Sequence, residues 1–140
     1  MIVGITFGAF DLLHAGHISM LAEAKQNCDW LIVGLHTDPT IDRPYSKNKP
    51  VQSTFERYVQ LSAIRHVDNI IPYDTEQDLV NMLSTLCVQK RFIGADYSDK
   101  NKEITGLNIC RVRDIQIVFL ERYHNFSSSE LRERCKKQSS

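Results

Sequence analysis

Two histidines three residues apart are the side chains of this sequence best placed to do chemistry. His14 and His17 lie in the stretch GAFDLLHAGH (residues 8–17), directly after the apolar run IVGITF (residues 2–7). If that run is a buried strand and HISMLAEAKQ begins a helix, the glycines mark a tight turn between them. Unpaired N–H groups and the positive end of the helix dipole favour an anion at such a turn, so the pattern predicts phosphate binding.

Metal ligation and a purely structural role are the alternatives for this histidine pair. Zinc sites of the His-Glu-x-x-His type need a glutamate and an i, i+4 spacing, and the stretch has neither. Each ring could instead simply cap a turn. Two rings one helical turn apart can point the same way and hold one group between them. We therefore favour phosphate binding and predict no metal held by protein side chains.

The rest of the chain alternates apolar runs with helical patterns. The runs rich in Val, Ile and Phe are IVGITF (2–7), WLIVGLH (30–36), NIIPY (69–73), RFIGA (91–95) and IQIVFLE (115–121). The helical patterns are HISMLAEAKQN (17–27), STFERYVQLSAIRHV (53–67), TEQDLVNMLSTLC (75–87) and SSSELRERCKK (127–137). This alternation predicts an α/β fold with a five-stranded parallel sheet covered by helices on both faces. Such sheets bind ligands beyond the carboxyl ends of their strands, where GAFDLLHAGH falls.

Composition limits the classes of partner. The chain has 140 residues with 17 basic and 17 acidic side chains, so no overall charge attracts nucleic acid or an anionic membrane. We expect one domain over residues 1–135 and a basic, frayed tail over 136–140. The start of the chain resembles no export signal, and its four cysteines form no Cys-x-x-Cys pair. A cytoplasmic protein with reduced thiols is the expectation.

The whole string resembles the Gly-x-Phe-Asp-x-x-His-x-Gly-His motif of the cytidylyltransferase family, within the Rossmann-like nucleotidyltransferases. The matching positions are Gly8, Phe10, Asp11, His14, Gly16 and His17. Further stretches similar to family segments follow in the family's order: SKNKP (46–50), IRHVDNIIP (64–72), GADY (94–97) and RYHNFSSS (122–129). The resemblance implies a single-domain Rossmann-like three-layer sandwich. It also implies transfer of CMP from CTP to a small phosphorylated alcohol, with glycerol-3-phosphate as first choice and pyrophosphate as product.

The resemblance also implies roles for individual residues. The catalytic set is His14, His17, Lys47, Lys49 and Arg122. The nucleotide-binding set is Gly8, Ala9, Phe10, Asp11, Gly16, Asp96, Ser127, Ser128 and Ser129. The acceptor-binding set is Asp11, His36 and Arg65. The histidines would hold the α- and β-phosphates, a lysine on the proline-containing loop 37–52 would close over the reacting phosphate, and the arginine of the last motif would bind the β- and γ-phosphates. Mg²⁺ is expected, bound mainly through the triphosphate.

Two other functions stay open at this point. YDTEQDLVNML (73–83) and GADY also resemble the heptose-phosphate adenylyltransferase branch, which implies ATP and a sugar phosphate. Tyr123 and Asn125 depart from the family's last motif, so a nucleotide-binding module that has lost catalysis is the other alternative. The resemblance further suggests a homodimer. Trp30, Phe55 and Phe119 are expected in the core.

Overall fold

Five strands and five helices alternate along the chain in the computed structural model, which describes residues 1–94, 104–121 and 128–139. In chain order they are β1 (Val3–Gly8), α1 (Ala15–Gln26), β2 (Trp30–His36), α2 (Thr54–Ser62), β3 (Asn69–Tyr73), α3 (Glu76–Thr85), β4 (Lys90–Ile93), α4 (Leu107–Val112), β5 (Gln116–Phe119) and α5 (Ser128–Ser139). Every strand that the sequence predicts is present. α5 continues into the segment expected to fray.

The strands form one parallel sheet in the order β3-β2-β1-β4-β5. The chain leaves β1 toward β2 and β3, then returns to place β4 on the other side of β1. The strand order therefore reverses next to β1, so the connections that follow β1 and β4 lead to helices on opposite faces of the sheet, and open parallel sheets bind ligands in the crevice at such a point. The predicted α/β class and five-stranded parallel sheet are confirmed.

Two apolar clusters lie on opposite faces of the sheet and make it the middle of three layers. Alternate residues of β2 divide between them, because successive side chains of a strand point to opposite faces. One cluster includes Leu31 of β2 with side chains of α1 and α2, and the other includes Ile32 with side chains of α3 and α4. Burial on both faces explains why these strands read as continuous apolar runs.

Helix starts follow local capping chemistry. Ser53 and Glu56 form a capping box at the start of α2, and Thr75 and Asp78 form one at the start of α3. α2 ends at Ser62, five residues before the predicted end at residue 67, because the chain turns there to enter β3. The short helix α4 was not predicted, since it spans only six residues and its N-terminus has no side-chain cap.

The prediction that three aromatic side chains belong to the core is wrong. Trp30, Phe55 and Phe119 are 40%, 75% and 46% exposed. Trp30 and Phe119 lie at the ends of strands, and the indole N–H of Trp30 donates to Asn69 at the surface. Phe55 lies two positions before the buried Arg57 on α2, so it faces away from the sheet.

The described residues contain no helix that is both long enough and apolar enough to cross a bilayer. All four cysteines are thiols.

Candidate functional site

The turn between β1 and α1 has an unusual backbone. Phe10 and Leu12 both have φ of +50°, which L-residues seldom adopt and which is strained for bulky side chains. The Phe10 side chain is buried, and its ring lies so close over Gly8 that a Cβ there would come within 3.1 Å of it. The glycine at the end of β1 therefore lets the chain reverse over the end of the strand.

The two predicted histidines cap α1 reciprocally. His14 is the N-cap residue, and its Nδ1 accepts the N–H of Gly16 at 3.0 Å. The Nδ1 of His17 accepts the N–H of His14 at 3.2 Å. The ring centroids are 3.9 Å apart and the planes are tilted by 31°. The two histidine rings therefore cap the start of α1 and also lie against each other.

These caps determine which ring nitrogens carry protons. An imidazole whose Nδ1 accepts a hydrogen bond is neutral, and its proton resides on Nε2. Both His14 and His17 therefore carry Nε2–H, a donor on the side of the ring away from the helix backbone. The arrangement provides two neutral donors at the N-terminus of a helix, where phosphate oxygens bind well.

The protonation of His17 is consistent with this assignment. Burial, and then the nearby His14, lower the pKa of His17 from 6.5 to about 4, while Asp11 opposes the shift. His17 is therefore neutral at physiological pH, so it could donate a hydrogen bond to a phosphate oxygen but could not act as a cation.

Asp11 ties the turn to the end of the loop 37–52. Its Oδ2 and Oδ1 accept the backbone N–H groups of Val51 and Gln52 at 2.8 and 2.9 Å. In return, the N–H of Leu12 donates to Oε1 of Gln52 at 2.8 Å. Both carboxylate oxygens orient backbone, so direct contact of Asp11 with an acceptor stays a prediction.

A cavity of about 470 Å³ opens beside this turn at the carboxyl edge of the sheet. Its wall includes seven of the predicted residues: Gly8, Ala9, Phe10, Asp11, His17, His36 and Lys47. It also includes four charged residues that the sequence analysis missed: Arg43, Glu76, Arg91 and Arg132. Among the described residues the wall carries four Lys or Arg side chains against two Asp or Glu, although the whole chain has no net charge. The excess positive charge suits a polyanionic ligand.

His36 forms part of the floor of the cavity at the end of β2. It is buried, its ring stacks on Tyr73 at 4.6 Å between centroids, and its Nε2 lies 3.3 Å from the carbonyl oxygen of Asp74. Burial lowers its pKa.

Two of the missed arginines meet at Thr105. Arg91 of β4 is only 6% exposed, donates from Nη1 to the Thr105 carbonyl, and lies 5.1 Å above the Phe7 ring. Arg43 donates from Nη2 to Thr105 Oγ1 at 3.2 Å and pairs with Glu76 at 3.4 Å. The sequence held one signal for Arg91, because this charged residue lies in an apolar run that predicts a buried strand. Arg132 had none, because the basic end of the chain reads as a solvated helix.

The described part of the cavity wall does not include the other predicted residues. Lys49, Arg65 and Ser129 are exposed and are outside the cavity wall, and Gly16 is buried in the first turn of α1. Asp96, Arg122 and Ser127 lie outside the described residues, as do Tyr123 and Asn125, and Ser128 is described only by its backbone. The roles assigned to these residues stay predictions.

The described residues offer few groups that could hold a magnesium ion. Within residues 1–94, 104–121 and 128–139, no group of three or more His, Cys, Asp or Glu side chains could hold a metal ion. Both oxygens of Asp11 already accept backbone N–H groups, and the turn offers donors, which do not ligate cations. Binding of Mg²⁺ through triphosphate oxygens, the mode expected from the sequence, stays a prediction.

The chain is similar to known proteins over most of its length. The family model described as Cytidylyltransferase-like matches residues 5–134. The chain is 36% identical over 109 residues to the bifunctional protein HldE of Granulibacter bethesdensis, covering 78% of this chain and 22% of that protein. It is 36% identical over 131 residues to HldE of Campylobacter jejuni subsp. jejuni serotype O:6, covering 94% of this chain and 27% of that protein. The chain thus spans about a quarter of the length of these relatives.

A solved structure shares the fold over most of its length. The lipopolysaccharide core biosynthesis protein from Thermoplasma volcanium GSS1 superposes with a TM-score of 0.73 at 26% identity, covering 89% of this chain and 99% of that one. The resemblance inferred from GAFDLLHAGH is confirmed. The chain belongs to the cytidylyltransferase-like family of Rossmann-like nucleotidyltransferases.

Proposed function

We propose that this domain transfers a nucleotidyl group from a nucleoside triphosphate to a phosphorylated acceptor and releases pyrophosphate. One observation carries the proposal: the caps of α1 hold His14 and His17 with Nε2–H donors at the turn that leaves β1. His17 and the turn itself line a cavity with an excess of positive charge. Membership of the family gives the same reaction class.

The reaction needs no nucleophile from the protein. The acceptor phosphate attacks the α-phosphorus in line, a bond to phosphorus forms, and the bond to the pyrophosphate oxygen breaks. Catalysis then consists of alignment and of stabilising the charge on the phosphoryl oxygens. Bound Mg²⁺ would supply charge neutralisation across the triphosphate oxygens.

The chain's own groups divide that work. We assign His14 and His17 to the α- and β-phosphates, and Lys47 to the reacting phosphate from the loop above the cavity. Arg122 is proposed to bind the β- and γ-phosphates, as the family motif implies. Arg132 on α5 lines the same cavity and is proposed to share that end of the triphosphate.

For the substrates, we propose ATP and a sugar phosphate, the alternative named in the sequence analysis. The matched relatives are HldE proteins, the similar solved structure is a lipopolysaccharide core biosynthesis protein, and YDTEQDLVNML with GADY resembles the heptose-phosphate adenylyltransferase branch. Glu76 and Arg43 in the cavity wall offer an acceptor and donors suited to hydroxyl groups. CTP with glycerol-3-phosphate is the second candidate, supported by the family description.

A substrate panel tests the proposal. The purified protein is incubated with Mg²⁺, with ATP or CTP, and with heptose, hexose or glycerol phosphates, and pyrophosphate release is measured. We expect release that needs both substrates and is fastest with ATP and a sugar phosphate. Fastest release with CTP and glycerol-3-phosphate would reverse the substrate assignment. Triphosphate binding without release for any pair would instead support a module that has lost catalysis.

We further propose a cytoplasmic homodimer. Phe55, Tyr58 and Val59 lie on one face of α2 and are 75%, 40% and 47% exposed. The four cysteines are thiols outside any disulfide, as is usual in a reducing compartment. Sedimentation equilibrium should give twice the mass of 16.1 kDa, whereas a monomer at high concentration would refute the dimer.

A further inference from the structure

Arg57 of α2 is a charged side chain that is almost completely buried, and neither the sequence motifs nor the proposed mechanism uses it. It is 1% exposed and heads the largest fully buried side chains of the described residues. It lies in the amphipathic stretch STFERYVQLS, where a charged residue is normally solvated. Burying a guanidinium is costly unless its hydrogen bonds are satisfied, so its contacts need a structural explanation.

All five N–H groups of Arg57 have acceptors. Nη1 donates to the carbonyl oxygens of Ala9 and His36 at 2.9 and 2.7 Å. Nη2 donates to the carbonyl oxygen of Thr37 at 2.7 Å and to Thr54 Oγ1 at 3.3 Å. Nε lies between the carbonyl oxygens of Gln52 and Ser53, at 3.2 and 3.3 Å. Guanidinium has five donors in a planar fork, and this environment uses every one.

The backbone carbonyl acceptors of Arg57 belong to three separate chain segments. Ala9 is in the turn between β1 and α1, His36 and Thr37 lie where β2 ends, and Gln52 and Ser53 close the loop 37–52 before α2 begins. Each segment carries part of the candidate site: the turn leads into the start of α1 with His17, β2 ends in His36, and the loop carries Lys47. The Asp11 bonds to Val51 and Gln52 join two of the same segments independently.

We infer that Arg57 is a positioning residue that holds the phosphate-binding turn, the end of β2 and the base of the lysine-bearing loop in one fixed relation. This inference rests on the proposed nucleotidyl transfer. Through its carbonyl acceptors Arg57 sets where the histidines lie relative to His36 and Lys47, without touching substrate. Lysine cannot substitute, because an ammonium is a point donor that cannot reach acceptors spread around a planar fork.

The experiment compares Arg57→Lys with Arg113→Lys. Arg113 is a matched control, since it also donates to two backbone carbonyls, those of Leu83 and Leu86, but away from the cavity. We expect Arg57→Lys to lower kcat about 100-fold, as small misplacements of reacting groups do, with a much smaller change in triphosphate Kd. Arg113→Lys should lower stability and leave kcat unchanged. Equal kcat for wild type and Arg57→Lys, corrected for the folded fraction, would overturn the inference.

A second variant covers the case in which Arg57→Lys does not fold. Thr54→Val is nearly isosteric and removes one acceptor of Nη2, so we expect kcat to fall about fivefold, the effect of one hydrogen bond. An unchanged kcat would contradict the inference.

Amide hydrogen exchange tests the positioning role of Arg57 independently of nucleotidyl transfer. If the wild-type protein transfers no nucleotide, the proposed function fails. Exchange at Leu12, Val51 and Gln52, whose N–H groups bridge the segments, still reports the role of Arg57. We expect faster exchange at these amides in both Arg57→Lys and Thr54→Val and no change in Arg113→Lys. Unchanged exchange in both Arg57-region variants would refute the positioning role without bearing on catalysis.

Discussion

At the scale of single residues, the helix caps explain how the two histidines of the proposed phosphate site stay neutral. The Nδ1 atoms of His14 and His17 are occupied by backbone N–H groups, so each ring can donate only from Nε2. Rings 3.9 Å apart also disfavour a second positive charge. Orientation and protonation are thus fixed by the same short turn before any ligand binds.

The low pKa of His17 predicts a decrease in stability as the pH is lowered. In the unfolded chain His17 takes up a proton near its ordinary pKa of 6.5, whereas in the folded chain it does so only near pH 4. Between these values the unfolded state binds more protons, so the free energy of unfolding falls with decreasing pH, by up to about 1.4 kcal/mol per pH unit from this group.

Urea unfolding of wild type and His17→Asn at pH 7, 6 and 5 measures this effect. Asparagine can still accept the N–H of His14 but does not titrate, so its stability should fall less steeply. Burial also lowers the pKa of His36 with the same sign, and this contribution cancels in the comparison. Identical pH dependence in the two proteins would show that His17 has an ordinary pKa.

Arg132 and Arg134 on α5 form a pair that separates a ligand contact from general charge. Arg132 lines the cavity, whereas Arg134 is exposed and pairs with Glu130 at 3.1 Å. We expect Arg132→Gln to raise the triphosphate Kd about tenfold, the value of a moderate charge-assisted hydrogen bond, and Arg134→Gln to have little effect. Isothermal titration calorimetry gives both constants. Equal losses in the two variants would mean that only overall charge matters.

At the scale of elements, the sequence predicts those features that depend on neighbours along the chain. Continuous apolar runs located all five strands, and the helical pattern that begins at Ser53 located the start of α2, because both signals are local. The short α4 lacks a cap and was missed. Arg57 and Arg91 were also missed, since the carbonyl groups that make their burial tolerable come from distant segments that only the folded chain brings together.

The cap of α3 gives a test of the local signals. Thr75 accepts the N–H of Asp78 at 3.1 Å, so Thr75→Ala should lower the free energy of unfolding by about 1 kcal/mol. Thr75→Ser keeps the hydroxyl and should retain most of that stability. Urea denaturation measures both, and no loss in Thr75→Ala would remove the capping box from the account of why α3 begins there.

At the scale of the whole molecule, the strand order brings the residues of the candidate site together at one edge of the sheet. The reversal beside β1 places the ends of β1, β2 and β4 around one cavity, and residues far apart in the sequence, from Phe7 to Arg132, meet there. Net charge is zero over the chain, but the cavity wall is positive. The parallel topology therefore brings positive side chains together at the cavity, which the composition of the whole chain does not indicate.

Pyrophosphate release by His17 variants tests most directly whether the neutral imidazoles at the β1–α1 turn stabilise a reacting phosphoryl group. His17→Asn keeps the capping acceptor but lacks a donor at the Nε2 position, so kcat should fall at least about 100-fold, while His17→Gln, which can place an amide N–H there, should recover part of it. Circular dichroism serves as the control that both variants are folded. Wild-type turnover in His17→Asn would contradict the account.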